Sequence, residues 1–144
     1  MPHDLSRFTS AQDSGSTYAH ALAELRAGRK RSHWMWFVFP QVAGLGRSST
    51  AQHYALDGVA QARDYLVDAV LGPRLLESAL ALTALDGRDP VAVLGDTDAQ
   101  KLRSSMTLFL HAAQHPEDRA VFRAVLDQYF DGTQDPQTLV RLTA

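Results

Sequence analysis

The sequence predicts an all-α protein, a compact single domain of about six to eight helices, some of them short, packed around one core across residues 1–144. Three observations lead there. Apolar residues recur at helical spacing over most of the chain, the connections between those stretches are brief and polar, and no segment of convincing length alternates in the strand period. Nothing in the chain repeats, and no Pro/Gly/Ser linker divides it.

Taken in order, Tyr18, Leu22 and Leu25 stand at i, i+4 and i+7, with Ser14 and Ser16 ahead of them as candidate N-caps and Gly28 behind as a natural helix end. Asp57 is placed to cap a helix beginning at Val59, with Ala62, Tyr65 and Leu66 on its inner side. Pro73 sits where a first-turn proline is tolerated, and Leu75, Leu76, Ala79, Leu80 and Leu82 continue an apolar face behind it. Asp96 or Asp98 opens the next helix, whose stripe is Leu102, Met106, Phe109, Leu110 and Ala113. His115-Pro116 separates it from a helix with the broad face Val121, Phe122, Val125, Leu126, Tyr129 and Phe130, ending near Gly132. A short last helix is expected from Pro136 to Leu142. The run Trp34-Met35-Trp36-Phe37-Val38-Phe39, closed by Pro40, fits either a buried helical turn or a buried strand, and periodicity does not choose between them.

Composition limits the possible chemistry. Nearly half the residues are apolar and the formal net charge is −2, so no global basic field draws the molecule onto nucleic acid or an anionic membrane; such binding would need a local patch. The absence of cysteine excludes disulfides, thiolate metal sites, iron–sulfur clusters and a cysteine nucleophile, and fits a reducing compartment. Met1 to Ser10 holds no apolar leader core, and the longest apolar run, Trp34 to Pro40, is too short to span a bilayer. The expectation is therefore a cytoplasmic protein with no membrane partner, no nucleic-acid partner and no cofactor; oligomeric state is not legible.

The segment from Arg26 to Tyr54 carries more chemistry than a core needs. Arg26, Arg29, Lys30 and Arg31, with His33 beside them, complement a helix C-terminus, or else form an anion site in which planar guanidinium forks meet phosphate or carboxylate. Trp34, Trp36, Phe37 and Phe39 follow at once; four aromatics in six residues mostly mean core, with one of the tryptophans a candidate to stack on a ligand ring. Gly44-Leu45-Gly46-Arg47-Ser48-Ser49, leading into Thr50-Ala51-Gln52-His53-Tyr54, could cradle a phosphate through backbone donors and the hydroxyls of Ser48 and Ser49. It lacks a complete dinucleotide or Walker fingerprint, and a loop with a serine N-cap explains it equally well.

Lys101 and Ser105, four apart, share one flank of the penultimate apolar stripe, with Ser104 further round; they suit close helix packing or the polar wall of a cleft. His111 and His115 have metal-compatible spacing, but Pro116 ends the helix there and no carboxylate completes a motif, so no metal is expected. His33 and His53 are the candidates for proton transfer, one in each arm of the proposed pocket. Asp96 and Asp98 are expected to act as caps, with Asp96 also near enough to Lys101 to reach the same cleft.

The string Gly28-Arg29-Lys30-Arg31-Ser32-His33-Trp34-Met35-Trp36-Phe37-Val38-Phe39-Pro40-Gln41, with Gly44-Leu45-Gly46 and Ser48 behind it, resembles the bacterial family called domain of unknown function 1810. So do Leu71-Gly72-Pro73-Arg74-Leu75, Asp98 with Lys101-Leu102, and Ser104-Ser105-Met106-Thr107-Leu108-Phe109. The resemblance covers nearly the whole chain. It implies an all-helical fold and supplies no reaction and no catalytic residues; the genome label calpastatin sometimes attached to such proteins adds none. Ser49-Thr50-Ala51-Gln52-His53-Tyr54 is also loosely similar to a segment of the NADAR proteins, which act on NAD and ADP-ribose by cleaving N-glycosidic bonds. Gln52 stands where that pattern has a glutamate, so the carboxylate that would stabilise an oxocarbenium-like centre is missing at that place.

The leading expectation is a pocket for an anionic, phosphorylated or nucleotide-like ligand of the ADP-ribose type, serving hydrolysis or transfer at an N-glycosidic or phosphoryl centre if any reaction occurs. Arg29, Lys30 and Arg31 would neutralise phosphates, Gly44, Gly46, Ser48 and Ser49 would supply donors, and Trp34 or Trp36 would stack a ring. The alternative is a non-catalytic interaction module presenting a basic and aromatic surface to an acidic protein.

Overall fold

The protein, seen in a computed structural model, is described over residues 4–143. Met1 to His3, the start of the segment read as lacking a leader, and Ala144, the end of the expected domain, lie outside them. The described chain is all-helical, without a named strand among the described residues. Its elements are α1 (Ser6–Asp13), a 3₁₀ turn (Ser14–Ser16), α2 (Thr17–Ala27), α3 (Met35–Val38), α4 (Ser49–His53) and α5 (Val59–Val67). There follow α6 (Leu71–Thr83), α7 (Pro90–Leu94), α8 (Asp96–Ala112), α9 (Pro116–Phe130) and α10 (Pro136–Thr143).

Helix α8 is the axis of the bundle. Every residue from Ser104 to Leu110 on it is buried, which a helix achieves only when neighbours cover it on all sides, here α5, α7, α9 and α10. An aromatic chain crosses the core from Phe8 through Tyr65 and Phe109 to Phe122, with ring centroids 5.2, 5.4 and 5.8 Å apart. The stripe Leu102, Met106, Phe109, Leu110 and Ala113 is buried as its spacing requires, and so are Phe122, Val125, Leu126 and Tyr129 of α9.

The ambiguous aromatic run is a single helical turn. Trp34 carbonyl accepts from Val38 N at 3.2 Å, Met35 carbonyl accepts from Phe39 N at 3.0 Å, and Pro40 prevents continuation. A four-residue helix cannot hold itself together, so burial of Trp34, Met35, Val38 and Phe39, each at most 1 % exposed, does the holding.

Several local expectations need correction. Leu80 is not an inner-face residue: it is 52 % exposed, because α6 carries its buried face on Leu71, Leu75, Ala79 and Leu82. Ser16 precedes α2 in a left-handed conformation and makes no side-chain cap. Gly58, not Asp57, is the cap residue of α5, and Asp57 instead donates its backbone N–H to Gln61 Oε1 at 2.7 Å. Gly95 precedes α8, which puts Asp96 and Asp98 inside the first turn, where they favour the helix dipole without capping. Gly28 does end α2, at φ 77°, where its freedom to take a positive φ is needed. Helices α1 and α7 escape the periodicity, since α1 buries only Phe8 and Gln12 and α7 only Leu94.

Candidate functional site

The connection from Gly28 to Trp34 is not a free loop. Glu24, on the last full turn of α2, gathers four donors: Arg31 N at 2.7 Å, Ser32 N at 3.1 Å, Ser32 Oγ at 2.6 Å and the Trp34 indole Nε1 at 2.9 Å. Partial burial opposes its charge, yet the hydrogen bonds from Ser32, Arg31 and Trp34 outweigh that and hold its carboxyl at a pKa of about 2, well below the ordinary value. Sequence reasoning missed Glu24 altogether. Its position seven residues before a run of polar backbone was the available signal, but nothing in a periodicity separates it from a surface glutamate.

With the connection fixed at both its ends, Lys30 turns inward. Its backbone N–H donates to Val93 carbonyl at 2.8 Å, tying it to α7, and its Nζ reaches Asp98 Oδ2 on α8 at 2.9 Å and the Ser32 carbonyl. Lys101, one turn further along α8, places its Nζ 3.5 Å from Asp98 Oδ1. Each ammonium also lies over an indole, Lys30 5.1 Å from the Trp34 ring and Lys101 4.6 Å from the Trp36 ring. The side chains of Lys30, Asp98 and Lys101 are 9, 18 and 18 % exposed, so this is a half-buried cluster of two cations on one carboxylate.

Counting donors shows what the cluster leaves open. An ammonium has three N–H groups. Lys30 spends two, on Asp98 and Ser32, whereas Lys101 has only its longer contact with Asp98. The cluster therefore carries one net positive charge, and Lys101, which lies over the half-buried Trp36, has donors to spare. Ser105, a turn beyond Lys101, is fully buried and its hydroxyl has no hydrogen-bond partner, an uncommon state for a core hydroxyl. The cluster can accept an anion; it holds no carboxylate free to act as a base, since Asp98 is taken by both lysines.

The remaining expected site residues lie elsewhere. Arg29, Arg31 and His33 are exposed on the outer side of the connection, and Arg26 pairs loosely with Glu77 at 3.8 Å. Trp34 is wholly buried with its N–H spent on Glu24, and Phe37 and Phe39 are core, so the expected aromatic surface patch is reduced to Trp36.

Gly44 to Ser49 belongs to a separate loop, pinched at its base by a parallel bridge between Val42 and Leu56. Arg141 of α10 fills the space under Gly44, whose φ of 98° and carbonyl both serve that contact, at 3.2 Å from the guanidinium. Gly46 lies so close to α4 that a Cβ there would stand 2.4 Å from that of Ala51. Ser48 caps α4, its Oγ accepting from Ala51 N at 3.1 Å, while Ser49 is exposed in the first turn of that five-residue helix. His53 is exposed against Tyr54. No hydrogen bond, ion pair or ring contact among the described residues joins residues 29–34 to residues 44–53, so the two stretches expected to converge are held by different partners.

The other expectations end similarly. Ser104 donates to Asp135 Oδ2 at 3.0 Å and is packing machinery between α8 and α10. His111 bonds Gln134 at 2.6 Å, and no group of three potential metal ligands occurs among the described residues. No helix among them is long and apolar enough to cross a membrane.

Comparison with known proteins places the chain among relatives without a described activity. A family model described as "Protein of unknown function (DUF1810)" matches residues 2–142. The chain is similar to a solved structure, the conserved hypothetical protein Rv1873 from Mycobacterium tuberculosis, at 42 % identity, with a TM-score of 0.93 over 100 % of this chain and 99 % of that one. No curated protein matches. Neither match links the chain to the NADAR proteins.

Proposed function

The chain belongs to the DUF1810 family, whose members bring no reaction with them, and on that premise we propose that it binds a small phosphorylated ligand at the Lys30–Asp98–Lys101 cluster, beside Trp36. The observation that carries this reading is the unequal use of the two ammonium groups: Lys30 spends two of its three donors on Asp98 and Ser32, while Lys101 has only its longer contact with Asp98 and keeps spare donors in a half-buried setting. Charge in such a setting is screened less than at the open surface, so an incoming phosphoryl oxygen gains more from it than from the exposed Arg29 and Arg31. Those arginines add only to the long-range positive field that steers an anion's approach; Trp36 offers an apolar wall for a base or sugar face. The nucleotide-like ligand is favoured over a bare phosphate by that wall. The reading is of binding; Asp98 orients the lysines and is not assigned an acid–base role.

Intrinsic tryptophan emission reports the site directly, because Lys101 lies over Trp36. Titration of the whole protein with ADP-ribose, ADP and inorganic phosphate is expected to change the emission saturably, with tighter binding of the nucleotides than of phosphate. Lys101→Gln is expected to weaken ADP-ribose binding by about tenfold, the worth of one charge-assisted hydrogen bond, while Arg47→Gln on the other loop leaves it unchanged. No response to any of these ligands at millimolar concentration, or equal binding by the Lys101→Gln variant, overturns the proposal. The alternative of a protein-interaction surface loses its aromatic part, since Trp34, Phe37 and Phe39 are buried.

A further inference from the structure

The chain has two lysines against twelve arginines, and both lysines meet at one carboxylate. It also has two tryptophans, and each lysine lies over one of them. Neither kind of contact calls for lysine. Arg74 makes both elsewhere in the molecule, pairing with Asp13 at 2.8 Å and lying 4.9 Å from the Tyr18 ring. A guanidinium also meets a carboxylate or a phosphate with a planar fork, so holding Asp98 and attracting an anion explain cations at positions 30 and 101 without explaining amines. An amine has what a guanidinium lacks, a nitrogen lone pair that the loss of one proton exposes and that adds to a carbonyl carbon.

The two amines are not equivalent. Lys30 Nζ donates to Asp98 Oδ2 at 2.9 Å and to the Ser32 carbonyl, whereas Lys101 Nζ has the single 3.5 Å contact with Asp98 Oδ1. Lys30 therefore keeps Asp98 paired when Lys101 passes a proton to water. Lys101 is the freer nitrogen, and its side chain is also the more exposed of the two.

We propose that Lys101 is a nucleophile that forms an imine with the aldehyde of a phosphorylated aldose in its ring-opened form. This rests on the reading of the cluster as the site of a phosphorylated, nucleotide-like ligand, and narrows it to ligands with a reducing sugar end: ADP-ribose, but not ADP. The step needs no co-reactant. Lys101 Nζ, having released one proton, adds to the aldehyde carbon; the resulting carbinolamine takes up a proton and loses its oxygen as water, leaving a C=N bond on a positively charged nitrogen. In sum, an ammonium and an aldehyde become a protonated imine and water. The charge of the cluster is the same before and after, so Asp98 stays the counter-ion of both nitrogens throughout.

Reductive trapping tests it. The whole protein is incubated with ADP-ribose and cyanoborohydride, which reduces an imine to a stable secondary amine, and is read by intact mass and peptide mapping. With two lysines in the chain, the labelled residue is assigned directly. One ADP-ribose per chain is expected, on Lys101, and excess ADP should suppress it, because ADP competes for the site and carries no aldehyde. Free ribose, the same aldehyde without phosphates, should label far more slowly. Lys101→Arg keeps a cation at that position and should lose the adduct; the map of the parent protein decides the matter even where that variant folds poorly. Labelling spread evenly over Lys101, Lys30 and the N-terminal amine, or labelling that ADP does not suppress, overturns the proposal. Tryptophan titration separates it from the binding reading: a saturable change in emission without an adduct overturns the imine alone, and no response in either measurement overturns both.

Discussion

Two connections of similar length and polarity, residues 28–34 and 43–48, flank the aromatic turn, and they are held in opposite ways. The first is ordered by a side chain: Glu24 takes its backbone and indole N–H groups, leaving Lys30 aimed at α8. The second is ordered by the backbone bridge at its base and by close approach, with Arg141 against Gly44 and Ala51 against Gly46. A loop fixed by a carboxylate keeps its cations available, whereas a loop fixed by contact spends its donors and its space. That is why the chemistry collects on Lys30 and its partners on α8 and not on the glycine turn.

The contrast is broken most severely at Glu24. Glu24→Ala removes four hydrogen bonds and leaves the Trp34 N–H unpaired in the core, with an expected loss of about 3 kcal/mol in urea unfolding. The pH dependence has a defined sign. The folded pKa of Glu24, about 2, lies below its ordinary value of 4.5, so its contribution is complete above pH 4.5 and is lost as pH falls toward 2. The parent should lose stability across that window more steeply than Glu24→Gln. Parallel slopes for the two proteins would mean that the carboxylate does not organise the connection.

On the other loop the corresponding change is steric. A Cβ at residue 46 would stand 2.4 Å from the Cβ of Ala51, which α4 holds in place, so Gly46→Ala should cost about 2 kcal/mol by overpacking. It should leave ligand binding at Lys101 intact once folded, the reverse of Glu24→Ala, which should impair both. Below that comes Ser48→Ala. Loss of the single cap to Ala51 N should cost about 1 kcal/mol and register mainly as faster amide exchange in α4.

How much of this was legible follows the same division. The stripes of α6, α8 and α9 are written in their apolar spacing, apart from Leu80, and Gly28 announces the end of α2. Lys101, Lys30 and Trp36 were among the candidates because charge and aromaticity are visible residue by residue. The pairing of Lys30 with Asp98 was not legible, because it joins residues 68 positions apart through the packing of the connection after α2 against α8. Glu24 was invisible for a related reason: its role lies in the direction of donors from a following loop, and sequence carries no angle. Asp96 and Asp98 read as caps because composition at a helix start is the same whether a carboxylate turns back to the backbone or outward to a lysine.

The smallest expected effect has the opposite sign and bears most directly on function. Ser105 carries a buried hydroxyl with no partner, one turn beyond Lys101 on α8. Removing an unsatisfied group relieves a desolvation cost, and alanine is the better helix former, so Ser105→Ala should stabilise the protein by about 0.5–1 kcal/mol. A hydroxyl kept at that cost and serving only packing would leave anion binding unchanged when removed. If it completes the site that Lys101 opens, the same variant becomes more stable yet binds ADP-ribose severalfold more weakly. Thermal midpoint and tryptophan titration on one sample separate these outcomes: a gain in stability with undiminished binding removes Ser105 from the site, while a loss in both shows that the hydroxyl has an internal partner after all.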